Sequence, residues 1–334
     1  MQVSSYDKLF HLRKDRRSRL IPLVAALDDN GKFHAWLPKG DDIIDMKVID
    51  LVEGQYFAKK AGANDDIYFG FLNFLYQRNT VKSLFPFVDY ITSDMRNLAT
   101  SLRKLEIFHE IHHKEDSGRL VISELEYIIT VCRSMYDHFQ FIAKKIWDGI
   151  KLIDSTIQKN SLSDSFSAMV LQGEMLRTPN EISKKYGLTP QLSKFYSDEG
   201  ISFEKLRSFR DDIVHYGHTP GYIYVTEKGF SVNADHKLFS SFNIWTPGCY
   251  YPNDKLASLK PVVAYIIRET LGTMGRFVNV LEQQIKFPDD IAPGYLLFMR
   301  GRYLYKLAEL DSYINNNVWY SDISEKTESR ANVG

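Results

Sequence analysis

Apolar residues recur every three or four positions along two long stretches in the middle of the chain, which is the spacing of an amphipathic helix. The apolar positions are Val88, Ile91, Met95, Leu98, Leu102 and Leu105 in the first stretch, and Leu125, Ile128, Cys132, Met135, Phe139, Ile142, Ile146 and Ile150 in the second. A short polar segment at 114–118 separates the two stretches. Two long helices joined by a short polar turn predict an antiparallel hairpin, which is half of a four-helix bundle.

The same period returns later in the chain. Residues 202–216 predict a third helix, with Ser202 as its N-cap residue and Gly217 at its end. Residues 255–286 predict a fourth helix, and a shorter helix is predicted over 295–310. Together these helices predict a mainly α fold built around a four-helix bundle.

Three segments depart from the helical period. Residues 20–60 contain an apolar run, the turn sequence Asp-Asp-Asn-Gly at 28–31 and alternating apolar positions after it, which predicts strands. Residues 222–232 predict a β-hairpin after the third helix. Residues 155–200 are polar and contain Ser, Gly and Pro, and we expect an insertion of short helices there, one of them capped by Thr178.

The predicted organisation has several parts. They are a small β-containing N-terminal unit at 1–80, a helical bundle at 86–290 with the insertion at 155–200, a C-terminal helix within 291–320 and a disordered tail at 321–334. A chain of 334 residues is longer than a single helical bundle needs, which favours more than one structural unit.

Charge and cysteine content narrow the classes of function. Lysine plus arginine and aspartate plus glutamate each number 42, so the net charge is zero and does not predict non-specific binding of nucleic acid. Any contact with RNA must come from a local patch. The two cysteines, Cys132 and Cys249, form neither a disulfide framework nor a cysteine-rich zinc site, which is typical of a cytoplasmic protein. No apolar run reaches membrane-spanning length, so we expect no membrane partner.

An arginine, an acid and a histidine lie within six residues near the end of the third predicted helix: Arg210, Asp211 and His215. Asp211 and His215 are four residues apart and share a helix face. The Arg-x4-His spacing, the acid directly after the arginine and the sequence Val-His-Tyr-Gly at 214–217 resemble the motif of HEPN domains. These are helical bundles found in many RNA-cutting toxins and defence proteins. The resemblance covers roughly residues 90–285.

The resemblance implies a HEPN-like four-helix bundle and a metal-independent endoribonuclease with a toxin, antiviral-defence or RNA-processing role. In such an enzyme the 2′-hydroxyl of RNA attacks the phosphorus, His215 transfers a proton and Arg210 stabilises the negative charge of the transition state. Asp211 would orient these two side chains, and no cofactor is needed. Because HEPN nucleases join the motifs of two subunits, the resemblance also implies a homodimer, with an antitoxin or regulatory protein as a possible further partner.

Further side chains are expected to bind the RNA. They are Arg207, Tyr216 and His218 near the motif, and Arg133 and His138 in a second Arg-x4-His copy. The second copy lies in the middle of the second predicted helix and has two interpretations. It is either a polar helix face or a face that lines the same cleft and helps to hold RNA.

The sequence His-Glu-Ile-His-His at 109–113 fits the zinc-protease pattern H-E-x-x-H. In that interpretation His109 and His113 bind zinc, Glu110 is the general base and Glu126 is one possible third ligand. The charged residues that follow directly depart from the pattern of that family. The other interpretation is a group of histidines at a helix end, where positive charge is favourable.

The leading hypothesis is therefore a metal-independent endoribonuclease. The alternatives are a non-catalytic HEPN-like module that binds protein or nucleic acid, and a zinc hydrolase. Chelation distinguishes them, because the nuclease works in EDTA, the hydrolase loses its metal and the module only binds.

Overall fold

A seven-stranded β-sheet packs against a group of long helices. The computed structural model describes residues 3–14, 24–40, 42–46, 50–78, 82–112, 116–154, 156–216, 223–252 and 255–322. The strands of the sheet are β1 (Val3–Ser5), β2 (Val24–Leu27), β3 (Phe33–Lys39), β4 (Asp42–Met46), β5 (Gly54–Ala58), β6 (Ile67–Tyr68) and, from the far end of the chain, β12 (Leu296–Arg300). Their order is β1-β4-β3-β2-β5-β12-β6, and the β2–β5 pairing is parallel.

The remaining elements are helices and short strands. The helices are α1 (Gly70–Arg78), α2 (Phe85–Glu110), α3 (Ser117–Gly149), α4 (Phe166–Val170), α5 (Pro179–Tyr186), α6 (Pro190–Tyr216), α7 (Lys237–Ser240), α8 (Leu259–Glu282), α9 (Tyr305–Ala308) and α10 (Leu310–Asn315). The short strands are β7 (Leu171–Gln172), β8 (Met175–Leu176), β9 (Tyr224–Thr226), β10 (Gly229–Asn233) and β11 (Leu256–Ser258).

The fold is mixed α/β, so the prediction of a mainly α four-helix bundle is wrong. The predicted helix at 295–310 contributes to this error, because its first half is strand β12. Leu297 and Met299 belong to the core on the helix side of the sheet, whereas Phe298 belongs to a second core on the opposite side. A strand buried on both faces has no polar alternation, and periodicity alone cannot distinguish it from a buried helix segment.

Strand β12 links the C-terminal part of the chain to the N-terminal strands. It pairs antiparallel with β5 on one side and with β6 on the other. Strand β6 of the predicted N-terminal unit at 1–80 therefore joins the other strands of that unit only through a C-terminal segment.

The predicted apolar stripes are confirmed in α2 and α3. The six stripe positions in α2 are at most 5% exposed, and those in α3 from Leu125 to Ile146 are at most 7% exposed. Helix α3 contacts α2, α6 and α8, and α6 also contacts α8. One apolar core runs from these helices to the sheet, so the long helices and the sheet share their buried surface.

The third predicted helix is longer than expected. Helix α6 begins at Pro190, so Ser202 lies inside the helix and is not its N-cap residue. The segment 155–200 contains short helices, and the predicted cap at Thr178 is confirmed by a capping box with Glu181. The segment also supplies buried side chains, which are Phe166, Met169, Ile182, Tyr186, Phe195 and Tyr196.

The hairpin predicted at 222–232 is formed by β9 and β10, and β11 extends it to three strands. Residues 323–334, most of the predicted disordered tail, lie outside the described residues. Within the described ranges no helix combines the length and the apolar character needed to cross a membrane.

Candidate functional site

The predicted motif lies in the C-terminal half of α6, where the carboxylate of Asp211 contacts the side chains of two arginines. Arg210 Nη1 donates a hydrogen bond to Asp211 Oδ1 across 3.0 Å, and Arg207 Nε lies 3.6 Å from Asp211 Oδ2. The three side chains are each about one-third exposed. Asp211 therefore restrains Arg210 while leaving part of the guanidinium open to solvent.

Phe203 connects this part of α6 to α3. The Arg133 guanidinium lies 4.6 Å from the centre of the Phe203 ring, a cation–π contact between the two helices. Phe203 is seven residues before Arg210, which is almost two full turns, so both residues lie on one side of α6, roughly 10 Å apart along its axis. Arg133, Arg207 and Arg210 thus follow one side of the α3–α6 contact, and we call them the basic row.

The histidine of the motif lies one helical turn beyond Asp211. Helix α6 continues to Tyr216, so the backbone places His215 roughly 6 Å along the axis from Asp211 and on the same face. The side chains of His215 and Tyr216, and the whole of His218, are outside the part of the chain that the structure describes.

The second Arg-x4-His copy is divided between two helix faces. Arg133 Nη1 forms an ion pair with Asp137 Oδ2 at 2.6 Å, on the side of α6. His138 instead faces α2, where its Nδ1 lies 3.5 Å from Asp94 Oδ2 and its ring lies 5.2 Å from the ring of Tyr90. Five residues turn a helix by roughly 140°, which separates the two side chains. The structure does not bring His138 to the basic row, so the predicted role of His138 in holding RNA beside Arg133 has no geometric support.

Two partners of these residues were not predicted from the sequence. Phe203 lies in the predicted third helix, and its contact with Arg133 is a property of two helices packed together. Asp94 likewise lies on a different helix from His138. Helical spacing identifies neighbours within one helix, but it gives no register between helices.

In the described part of the chain, two of the predicted zinc-hydrolase residues at the end of α2 are engaged in other contacts. Arg103 Nη1 donates a hydrogen bond to Glu110 Oε1 across 2.9 Å, so the predicted general base forms an ion pair with an arginine. The ring of His109 is stacked on that of His112 at 5.1 Å and packs against Phe230 at 6.0 Å. His113, the second predicted ligand, lies outside the described residues.

His109 also does not carry the positive charge expected of a histidine at a helix end. Burial, and to a lesser degree the neighbouring His112, lower the pKa of His109 below its ordinary value. A histidine with a lowered pKa is neutral at pH 7 and does not supply the favourable positive charge expected at a helix end.

The comparisons with known proteins add no template: no family model matches the chain, and no curated protein or solved structure is significantly similar to it. In the described ranges, no group of three or more His, Cys, Asp or Glu side chains is arranged to hold a metal ion. The basic row and the adjoining histidine position therefore form the candidate site.

Proposed function

We propose that the chain is a metal-independent endoribonuclease whose reactive groups lie in the C-terminal half of α6. The observation that carries this proposal is the contact of Asp211 with both Arg207 and Arg210, one turn before His215. A guanidinium that is held in place but one-third exposed is suited to an oxyanion, because its charge and its planar donors match a phosphate.

The proposed reaction needs only two proton transfers. The 2′-oxygen of the RNA attacks the adjacent phosphorus, the bond from phosphorus to the 5′-oxygen breaks, and a 2′,3′-cyclic phosphate and a 5′-hydroxyl result. One proton leaves the 2′-oxygen and another reaches the 5′-oxygen. In a homodimer, His215 of each subunit handles one of these transfers, and Arg210 stabilises the charge on the phosphoryl oxygens.

The proposal extends to the setting of the enzyme. Cys132 and Cys249 are buried free thiols, which suits a reducing cytoplasm. There the dimer would act on RNA under the control of an antitoxin or regulatory protein.

The test is cleavage of labelled single-stranded RNA and transfer RNA in EDTA by the wild type, Arg210→Ala and His215→Ala. Arg268→Ala is the matched control, because Arg268 also donates to the following acid, Glu269, at 3.0 Å and is similarly exposed. We expect the wild type and the control to cleave alike, and the two motif variants to lose at least ~100-fold. Cleavage that survives both motif substitutions would place the activity elsewhere.

A second candidate, a non-catalytic interaction module, is favoured by an exposed apolar patch. Met175, Leu176 and Ile201 are 73%, 39% and 51% exposed, and Leu176 packs beside Gly200, the neighbour of Ile201. Solvent-exposed apolar patches are typical of protein contacts. If the module is correct, the wild type cleaves neither RNA, and Met175→Asp weakens self-association measured by sedimentation.

A further inference from the structure

A cavity of about 260 Å³ lies where α1, the C-terminal end of α3 and the segment after α8 meet. Its walls are mainly apolar and include Phe74, Leu75, Ile146, Ile150, Ile285 and Phe287. None of the residues around it belongs to α6. The cavity is therefore separate from the proposed nuclease site.

Among the described residues that line the cavity, three side chains are cationic and none is acidic. Arg78 is already compensated, because it pairs with Glu282 at 2.8 Å and with Asp290 at 3.0 Å. Lys151 and Lys286 differ, since neither forms an ion pair within 4 Å in the described part of the chain. The cavity thus combines an apolar interior with two exposed ammonium groups that have no ion-pair partner among the described residues.

We propose that this cavity binds a small anionic amphiphile, a medium-chain carboxylate whose apolar chain fills the cavity while its carboxylate meets Lys151 and Lys286. The volume corresponds to roughly nine times the ~30 Å³ occupied by one water in the liquid. A methylene group needs nearly the same space, so a chain of about eight to ten carbon atoms fits. The proposal does not depend on the nuclease function.

Isothermal titration calorimetry with hexanoate, octanoate and decanoate tests the apolar part of the site. We expect the affinity to rise about fourfold per added methylene, which is the fold-change that corresponds to burying one such group. Decanol serves as the uncharged comparison. Absence of decanoate binding at millimolar concentration overturns the proposal, and decanol binding as tight as decanoate binding overturns its anionic part.

Substitution of the two lysines tests the charge. The double variant Lys151→Gln/Lys286→Gln is expected to bind decanoate about tenfold more weakly and decanol unchanged, because two partly exposed ion pairs are removed. An equal loss for both ligands, or no loss for either, contradicts the assigned role of the lysines.

Blocking the cavity tests its location. Gly149 lines the cavity, and a Cβ at this position meets no atom within 4 Å, so Gly149→Trp is expected to fold and to obstruct binding. Ile150→Trp enlarges a side chain in the cavity wall and should also obstruct binding. Gly275→Trp is the matched control, because a Cβ at Gly275 on α8 also meets no atom within 4 Å and Gly275 does not line the cavity. Decanoate binding that persists in both blocked variants places the ligand elsewhere.

Discussion

Arg300 on β12 and Asp66, just before β6, form a two-point ion pair. Arg300 Nε lies 2.7 Å from Asp66 Oδ1, and Arg300 Nη2 lies 2.8 Å from Asp66 Oδ2. The Asp66 side chain is fully buried and that of Arg300 is 15% exposed. Burial acts to raise the pKa of Asp66, but hydrogen bonds from Arg300 and Tyr56 outweigh it and hold the pKa below its ordinary value. This pair fixes the C-terminal strand in the N-terminal sheet.

Removing Arg300 should therefore destabilise the whole fold. Arg300→Met leaves the Asp66 carboxylate buried without its cation, and we expect a loss of about 3 kcal/mol in the free energy of unfolding. Urea denaturation measures it. Lys59→Met is the control, because Lys59 pairs with Asp29 at the surface, and it should change stability little. Equal effects of the two substitutions would show that β12 does not depend on the ion pair.

The C-cap glycine of α5 gives a second prediction. Gly187 has φ +61°, and a Cβ added there would lie 2.0 Å from the carbonyl oxygen of Gln158. Gly187→Ala combines left-handed strain with this clash, so we expect it to cost about 3 kcal/mol in thermal or urea unfolding.

A substitution at Gly173 distinguishes left-handed backbone strain from the clash with Gln158. Gly173 has φ +64°, but a Cβ there meets no atom within 4 Å, so Gly173→Ala should cost only about 1 kcal/mol. If the two substitutions cost the same, the approach of Gln158 contributes nothing.

These features show which parts of the structure the sequence determines locally. The stripes of α2 and α3 and the cap at Thr178 were predictable, because each depends on residues within a few positions of one another. The position of β12 in the sheet was not predictable, because its partner strands lie more than 200 residues away in sequence and its apolar run is compatible with a helix. For the same reason the sequence located Arg210 beside Asp211 but gave no sign that His138 faces Asp94.

We expect the folded protein to lose stability in acid because the side chain of His11 is buried. The side chain is 2% exposed and stacks on Trp36, and neither ring nitrogen has a hydrogen-bond partner in the described part of the chain. Burial, with a smaller contribution from His34, lowers the pKa of His11 to about 4. The unfolded chain takes up this proton near pH 6.5, so stability falls as the pH drops from about 6.5 to 4, by about 3 kcal/mol in total.

The variant His11→Phe isolates this contribution. It keeps an aromatic ring of similar shape and loses no hydrogen bond, so its stability should depend less on pH between 6.5 and 4 than that of the wild type. Urea denaturation at a series of pH values in this range compares the two proteins. Identical pH profiles would assign the acid sensitivity to other groups.

The proposed composite site of a homodimer predicts complementation between chains with impaired activity. Arg210→Ala and His215→Ala chains carry different tags and are purified together as mixed dimers. Such a dimer keeps one arginine and one histidine across the shared site. One of the two proton transfers then lacks its histidine, so we expect more RNA cleavage than with either variant alone and less than with the wild type. A verified mixed dimer that is no more active than either variant alone would contradict the composite site.

The proposed attack of the 2′-hydroxyl is tested most directly by an RNA that carries a single 2′-deoxynucleotide at a mapped cleavage position. Wild-type protein in EDTA is predicted to cut the unmodified RNA there, leaving a 2′,3′-cyclic phosphate and a 5′-hydroxyl, and to leave the substituted bond intact. Cleavage at the deoxy position, products with 3′-hydroxyl and 5′-phosphate ends, or no cleavage of either RNA would contradict the account.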